Sequence, residues 1–339
     1  MDHHTIGPSN NWTLIPAIPL GPTTEVPTIT KDTVALITGG IGNPNVRLSS
    51  TEVYPPGCSL PALPEARWSH TAFVHNNSVS VCGGKISSGS SIYSSVSDTS
   101  SCLVLDVENQ RWEKNVIGDL TRSRTRHAAV SVENVGTYLI GGGLSNNPTT
   151  TDFLASGLTE WSAGPALPVS MYSPCAVKIS QFSFLVIKGF DIREYHVDIA
   201  NPTSFSGWQQ AIKWPRLQTY RDDQPGCALT NDNKVVIAGG WTSGTYLKSS
   251  EVLDLATRKI TNSGDMTSSR RFFHLATTTL GGETKIFAFG GRSTISTFVD
   301  SVEHFHPNNN SWTLAPTTLK EKRGNFGRVV VGVETICPT

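Results

Sequence analysis

The chain lacks a net charge: 27 Lys and Arg balance 27 Asp and Glu over 339 residues. A neutral chain has no bulk attraction to a nucleic-acid backbone or an anionic membrane, so no nucleic acid is expected as a partner. No apolar run approaches the roughly 20 residues of a membrane helix, so no membrane insertion is expected. Apolar residues at the 3.6-residue spacing of an amphipathic helix are missing throughout. A Gly-x-Ser-x-Gly elbow, a Cys-x-x-Cys pair and a phosphate-binding loop are missing too. With them go the usual signatures of hydrolase, thiol-redox and nucleotide chemistry. The first residues have no basic region, and prolines interrupt "LIPAIPL" where a signal peptide would be continuously apolar.

Six cysteines are present, Cys58, Cys82, Cys102, Cys175, Cys227 and Cys337, along with three N-glycosylation sequons at Asn11, Asn76 and Asn309. Asn147 is excluded because Pro148 follows it. These features set an expectation of a secreted glycoprotein whose native signal peptide has been removed or replaced, with a cytoplasmic protein as the alternative.

The positive signal is repetition. "VALITGGI", "SVSVCGGK", "TYLIGGGL", "KVVIAGGW" and "KIFAFGGR" each end an apolar strand pattern in a glycine pair, and "FLVIKGFD" with Gly189 is a degenerate sixth copy. The interval is about 50 residues. Other features recur in phase. A strand opens each unit, as in "HTAFV", "HAAVSV", "CAVKI", "CALT" and "HLATTT". A third strand follows the glycines ("STEVY", "SCLVLD", "SSEVLDL", "SVEHFH"), and Trp112, Trp161, Trp208 or Trp312 closes the unit. Four short strands per unit, bounded by turn residues, read as an antiparallel sheet. Four-stranded sheets at this period are the arithmetic of an all-β kelch-type β-propeller.

At these residues the chain resembles the kelch-repeat β-propeller family, over about 26–339, after an irregular tail at 1–25. In the kelch domains of BTB-kelch adaptors a C-terminal strand closes the ring by becoming the innermost strand of the first blade. The resemblance gives that role to 326–333, beside "VALITGG", and implies six four-stranded blades. "NNWTLIPAIPL" copies "NNSWTLAPTTL" and leaves seven blades with an incomplete closing blade as the alternative. No BTB domain is recognised. Cys82 on a second strand and Cys102 on the adjacent third strand are placed for a disulfide or for two buried thiols. The other four cysteines have no assigned pairing.

The clearest non-apolar repeat is basic. Arg67-Trp-Ser-His70, Arg124-Thr-Arg-His127 and Arg271-Phe-Phe-His274 share one spacing, and Arg323 keeps the arginine. All lie at the start of innermost strands, around one rim of a propeller channel. In the adaptors such arginines gather at the pocket for an acidic peptide. The resemblance therefore gives Arg67, His70, Arg124, Arg126, His127, Arg271, His274 and Arg323 a ligand-binding role, since a guanidinium fork suits carboxylates. The other reading is hydrogen bonding between blades. Units four and five ("MYSPC", "DDQPGC") are read as lacking the arginine, with Asp222 and Asp223 making that side less positive. The loops after the glycines are long, and Trp241 and Tyr246 are their candidate contact aromatics.

The expected function is a binding module for a protein or peptide partner, acting as a monomer with no cofactor and no metal. The competing class is a small-molecule enzyme, oxidase-like or mutarotase-like, at the channel mouth. Tyr195-His196 is similar to the Tyr-His pair of galactose-oxidase-like propellers, but the rest of that copper set is absent. The Glu-x-x-x-Asp-x-x-x-His iron spacing of plant specifier proteins does not occur, although Asp300 and His304 keep its second half. Sialic-acid mutarotases offer no motif to transfer. His304 and His306 share a strand face and read more simply as structural.

Overall fold

The computed structural model describes residues 32–87, 95–143, 149–203 and 214–337. The expected tail at 1–25, Asn11 and Trp208 lie outside them. Among the described residues the regular structure is antiparallel β-sheet apart from one short helix at Val333–Ile336, in keeping with a β-propeller.

Six sheets carry the repeat. Sheet one joins Val46–Tyr54, Thr33–Gly42 and the C-terminal strand Gly327–Gly332. Sheet two runs Thr71–His75, Ser78–Cys82, Cys102–Asp106 and Arg111–Glu113. Sheet three runs Ala128–Val132, Gly136–Ile140, Thr151–Ala155 and Ser162–Ala163. Sheet four has Cys175–Lys178, Ser183–Lys188 and Asp191–His196. Sheet five has Gly226–Leu229, Lys234–Ala238, Ser250–Asp254 and Lys259–Ser263. Sheet six has His274–Leu280, Glu283–Phe289, Val302–His306 and Ser311–Leu314. The C-terminal strand pairs with Thr33–Gly42 from Thr33↔Gly332 to Thr38↔Gly327.

The second strand of each unit is apolar without alternation because both of its faces are covered. Val235, Val236, Ile237 and Ala238 are all fully buried. Leu36 and Val329 of sheet one pack with Val81 and Trp112 of sheet two. Phe73 of sheet two packs with Leu139 and Trp161 of sheet three, the two rings edge-on at 5.8 Å. The same face-to-face contact joins three to four, four to five and five to six. A last cluster joins Phe287 and Phe289 of sheet six to Ala35, Ile37 and Tyr54 of sheet one. The recurrent tryptophan serves these seams: the Trp112 indole donates to the Pro61 carbonyl at 3.0 Å and Trp312 to the Ser250 hydroxyl at 3.0 Å.

All six cysteines are joined, as Cys58–Cys337, Cys82–Cys102 and Cys175–Cys227. Cys82 and Cys102 face each other in register across sheet two. Cys58–Cys337 anchors the chain just beyond the C-terminal strand to the linker after sheet one. Cys175–Cys227 links the inner strands of sheets four and five.

Candidate functional site

The repeated arginine sits just before each inner strand and reaches into its own sheet. Arg67 Nη1 donates to the Gly83 carbonyl at 2.8 Å and the Ser101 carbonyl at 2.9 Å, while Nη2 reaches the Ser101 hydroxyl at 2.8 Å. Arg124 bonds Gly141 and Thr150 in the same way, and Arg323 bonds Gly39 and Ser50. Arg67, Arg124 and Arg323 are at most 1% exposed. Each clamps the neck of the loop between the first glycine and the third strand. Their geometry is that of bonding within the fold.

Two further arginines do the same work. Arg221 bonds Gly239 and Ser249, and Arg270 bonds Gly290 and Ser301. Unit five therefore does carry the arginine, correcting the sequence reading, and the position equivalent to Arg67 is Arg270 rather than Arg271. The signal was a count of three residues from arginine to the residue opening the inner strand, which is Gln224 after Arg221 and Phe273 after Arg270. A carboxylate completes four of the five sites: Glu52, Asp152, Glu251 or Glu303, each two residues after the clamped Ser or Thr. In sheet two Leu103 takes that place and Glu65 substitutes at 3.0 Å. Burial lowers each guanidinium pKa, and the nearby acid raises it back.

The clamps also join neighbouring sheets through the main chain. Gly84 N–H donates to the Arg124 carbonyl at 2.7 Å, and Gly291 N–H to the Arg323 carbonyl at 2.7 Å. Gly83, at φ +68°, shows why glycine is written there, since a Cβ would stand 2.6 Å from the Arg124 oxygen. Two residues after each arginine position comes a residue with positive φ: Ser69, Arg126, Ser173, Asp223, Phe272 and Asn325. Their backbones bond in a cycle. Ser69 N–H donates to Asn325 O, Asn325 to Phe272, Phe272 to Asp223, Gln224 to Ser173, Ser173 to Arg126, and Arg126 back to Ser69, at 2.7–3.2 Å.

That cycle sets side chains on a rim. Asp223 lies 2.6 Å from Arg271 Nη1 and 3.8 Å from Arg126 Nη1. The Arg126 guanidinium stacks over Tyr172 at 5.2 Å and Phe272 at 4.8 Å, and Arg271 stacks over Tyr246 at 4.5 Å. The side chains are 29% exposed at Arg126, 22% at Asp223 and 13% at Arg271. Of the sequence candidates, Arg126, Arg271 and Tyr246 thus come together here. Trp241 pairs in register with Tyr246 at the edge of this group. Asp223, Tyr172 and Phe272 were not singled out as ligands. They lie far apart in the chain; Asp223 and Phe272 share the position two after the arginine, and Tyr172 comes one residue after Met171.

Of the three repeat histidines, His70 and His127 are buried and His274 is half-buried. The His70 ring bonds the Thr38 hydroxyl at 2.8 Å, and His274 Nε2 lies 3.0 Å from the Phe326 carbonyl. Burial pushes His70 well below the ordinary histidine value and pushes His127 and His274 down to about 3, so all three are neutral at physiological pH.

Tyr195 is buried against Phe184, and His196 bonds the Ser183 hydroxyl. The His304 and His306 rings are 4.2 Å apart. Among the described residues no three His, Cys, Asp or Glu converge as a metal set, and no helix is long and apolar enough to cross a membrane. The sequons Asn76 and Asn309 both fall in exposed turns. Residues 277–318, which span most of sheet six, match the Kelch motif. No curated protein matches the chain.

Proposed function

We propose that this kelch-repeat protein is a six-bladed β-propeller closed by its C-terminal strand, spanning about 26–339, that binds an acidic or polar segment of a protein partner on its rim. Six sheets, each packed on the next and the sixth on the first, support the blade count. The observation that carries the binding site is the Arg126–Asp223–Arg271 group. Here arginines stay partly exposed on aromatic faces, whereas the clamp arginines are buried, with their Nη groups tied to backbone and hydroxyl oxygens of the fold. A shared carboxylate holding two guanidinium groups in place presents them preorganised to an incoming carboxylate. Three disulfides and two exposed sequons support an extracellular setting.

The test is a screen of Asp/Glu-rich against Lys/Arg-rich peptides, repeated on Arg126→Gln/Arg271→Gln. We expect acidic peptides to be selected and the double variant to lose at least tenfold in affinity with its melting temperature nearly unchanged. Basic peptides winning the screen, or acidic ones binding the variant equally well, would refute the reading. His70, His127 and His274 act in this scheme by holding the rim.

A further inference from the structure

Inside the circle of inner strands lies a cavity of about 240 Å³, the share of liquid volume of roughly eight water molecules. All six inner strands contribute to its wall. None of them carries an Asp or Glu. Arg328, from the C-terminal strand, lines this cavity. Unlike the five clamp arginines, it makes no hydrogen bond or ion pair among the described residues; its Nε, like those of Arg67 and Arg323, is buried without a partner. Burial alone sets its pKa, lowered to about 10, so the group remains a cation at neutral pH. Two other polar groups on the same wall are also unsatisfied: His127 Nδ1, on a residue 3% exposed, and Gln224 Oε1, on a residue 8% exposed.

Arg328 as a whole is half-buried and its Nε is closed off from solvent; a cation so placed with no counter-charge is unfavourable. Water or an anion must answer it. We propose that the cavity binds a small organic carboxylate, its oxygens gripped by the Arg328 guanidinium. The planar fork matches a carboxylate, while Ala128, Ala176 and Val330 offer apolar wall to a hydrocarbon portion. A phosphate would leave that wall against strongly hydrated oxygens. The volume limits the ligand to a compact acid. This site is separate from the rim and stands whether or not the rim reading holds.

Isothermal titration with benzoate and butyrate, and with inorganic phosphate as comparator, tests it on the intact protein. The expected result is one saturable carboxylate site per chain, weakened tenfold or more in Arg328→Gln, partly retained in Arg328→Lys and unchanged in Arg271→Gln. Melting temperatures of the variants establish that they remain folded. Should Arg328→Gln not fold, benzoate must instead bind Arg328→Lys measurably more weakly than the native protein, or the assignment fails. No saturable carboxylate binding, phosphate binding in preference, or binding untouched by Arg328→Gln would overturn the assignment. Loss in Arg271→Gln with Arg328→Gln unaffected would move the ligand to the rim, rejecting the cavity while favouring the rim.

Discussion

Sheets four and five lie side by side and hold their second strands by different chemistry. In sheet five Gly239-Gly240 leads into a loop that returns at Ser249, and Arg221 bonds both ends of its neck while Glu251 completes the site. In sheet four Lys188 pairs directly with Asp191 around Gly189 and Phe190, so there is no loop neck, and Met171 takes the arginine position. The second glycine has gone with the loop. The arginine is thus a requirement of the long loop rather than of the sheet. Where the loop is absent the position reverts to an apolar residue, and Cys175–Cys227 ties that sheet to its neighbour.

The sharpest way to break this contrast is to remove a clamp. Arg270→Met leaves Glu303 buried without its counter-charge, so it should destabilise by about 3–5 kcal/mol, measured by urea unfolding. Met171→Ala in the unit without a loop should cost about 2–3 kcal/mol from packing alone. Equal losses at the two positions would show that the arginine adds nothing specific.

Next comes the covalent tie. Cys175→Ala/Cys227→Ala should cost about 2–4 kcal/mol. Hydrogen exchange in the variant should rise first in Cys175–Lys178 and Gly226–Leu229. Uniform exchange across all sheets would dissociate the disulfide from the missing clamp.

The smallest effect at neutral pH is acid sensitivity, which grows only on acidification. His127 titrates at about 3 in the fold against about 6.5 unfolded, so the unfolded chain binds the extra proton between those values. Its stabilisation is complete above pH 6.5 and is lost as pH falls toward 3, by about 1.4 kcal/mol per pH unit. His127→Gln should flatten that slope in urea titrations at pH 4–7. The sheet-four equivalent, Pro174, has no proton to bind. An unchanged slope would place the acid sensitivity elsewhere.

The repeat and its strands were legible because strand patterns and glycine pairs are local signals, whereas the place of the C-terminal strand beside "VALITGG" was implied only by the resemblance to kelch propellers. The clamp was half legible. Adjacent Arg270-Arg271 and Phe272-Phe273 admit two registers, and His274 drew the alignment one residue too far. Arg221 was hidden because Gln224 stands where histidine was expected. Cys82–Cys102 was readable as a candidate because both lie in one sheet. Cys58–Cys337 was not, because 279 residues separate its ends.

By itself the sequence determined an all-β repeat protein, since strand period, turn glycines and seam tryptophans act over a few residues each. Only the tertiary structure decided which arginines are tied into the fold and which stay partly exposed or without a counter-charge. That distinction depends on partners from distant units: the Ser50 carbonyl for Arg323, Asp223 for Arg126, and none among the described residues for Arg328. Burial and counter-charge are properties of the assembled sheets, and no local pattern encodes them.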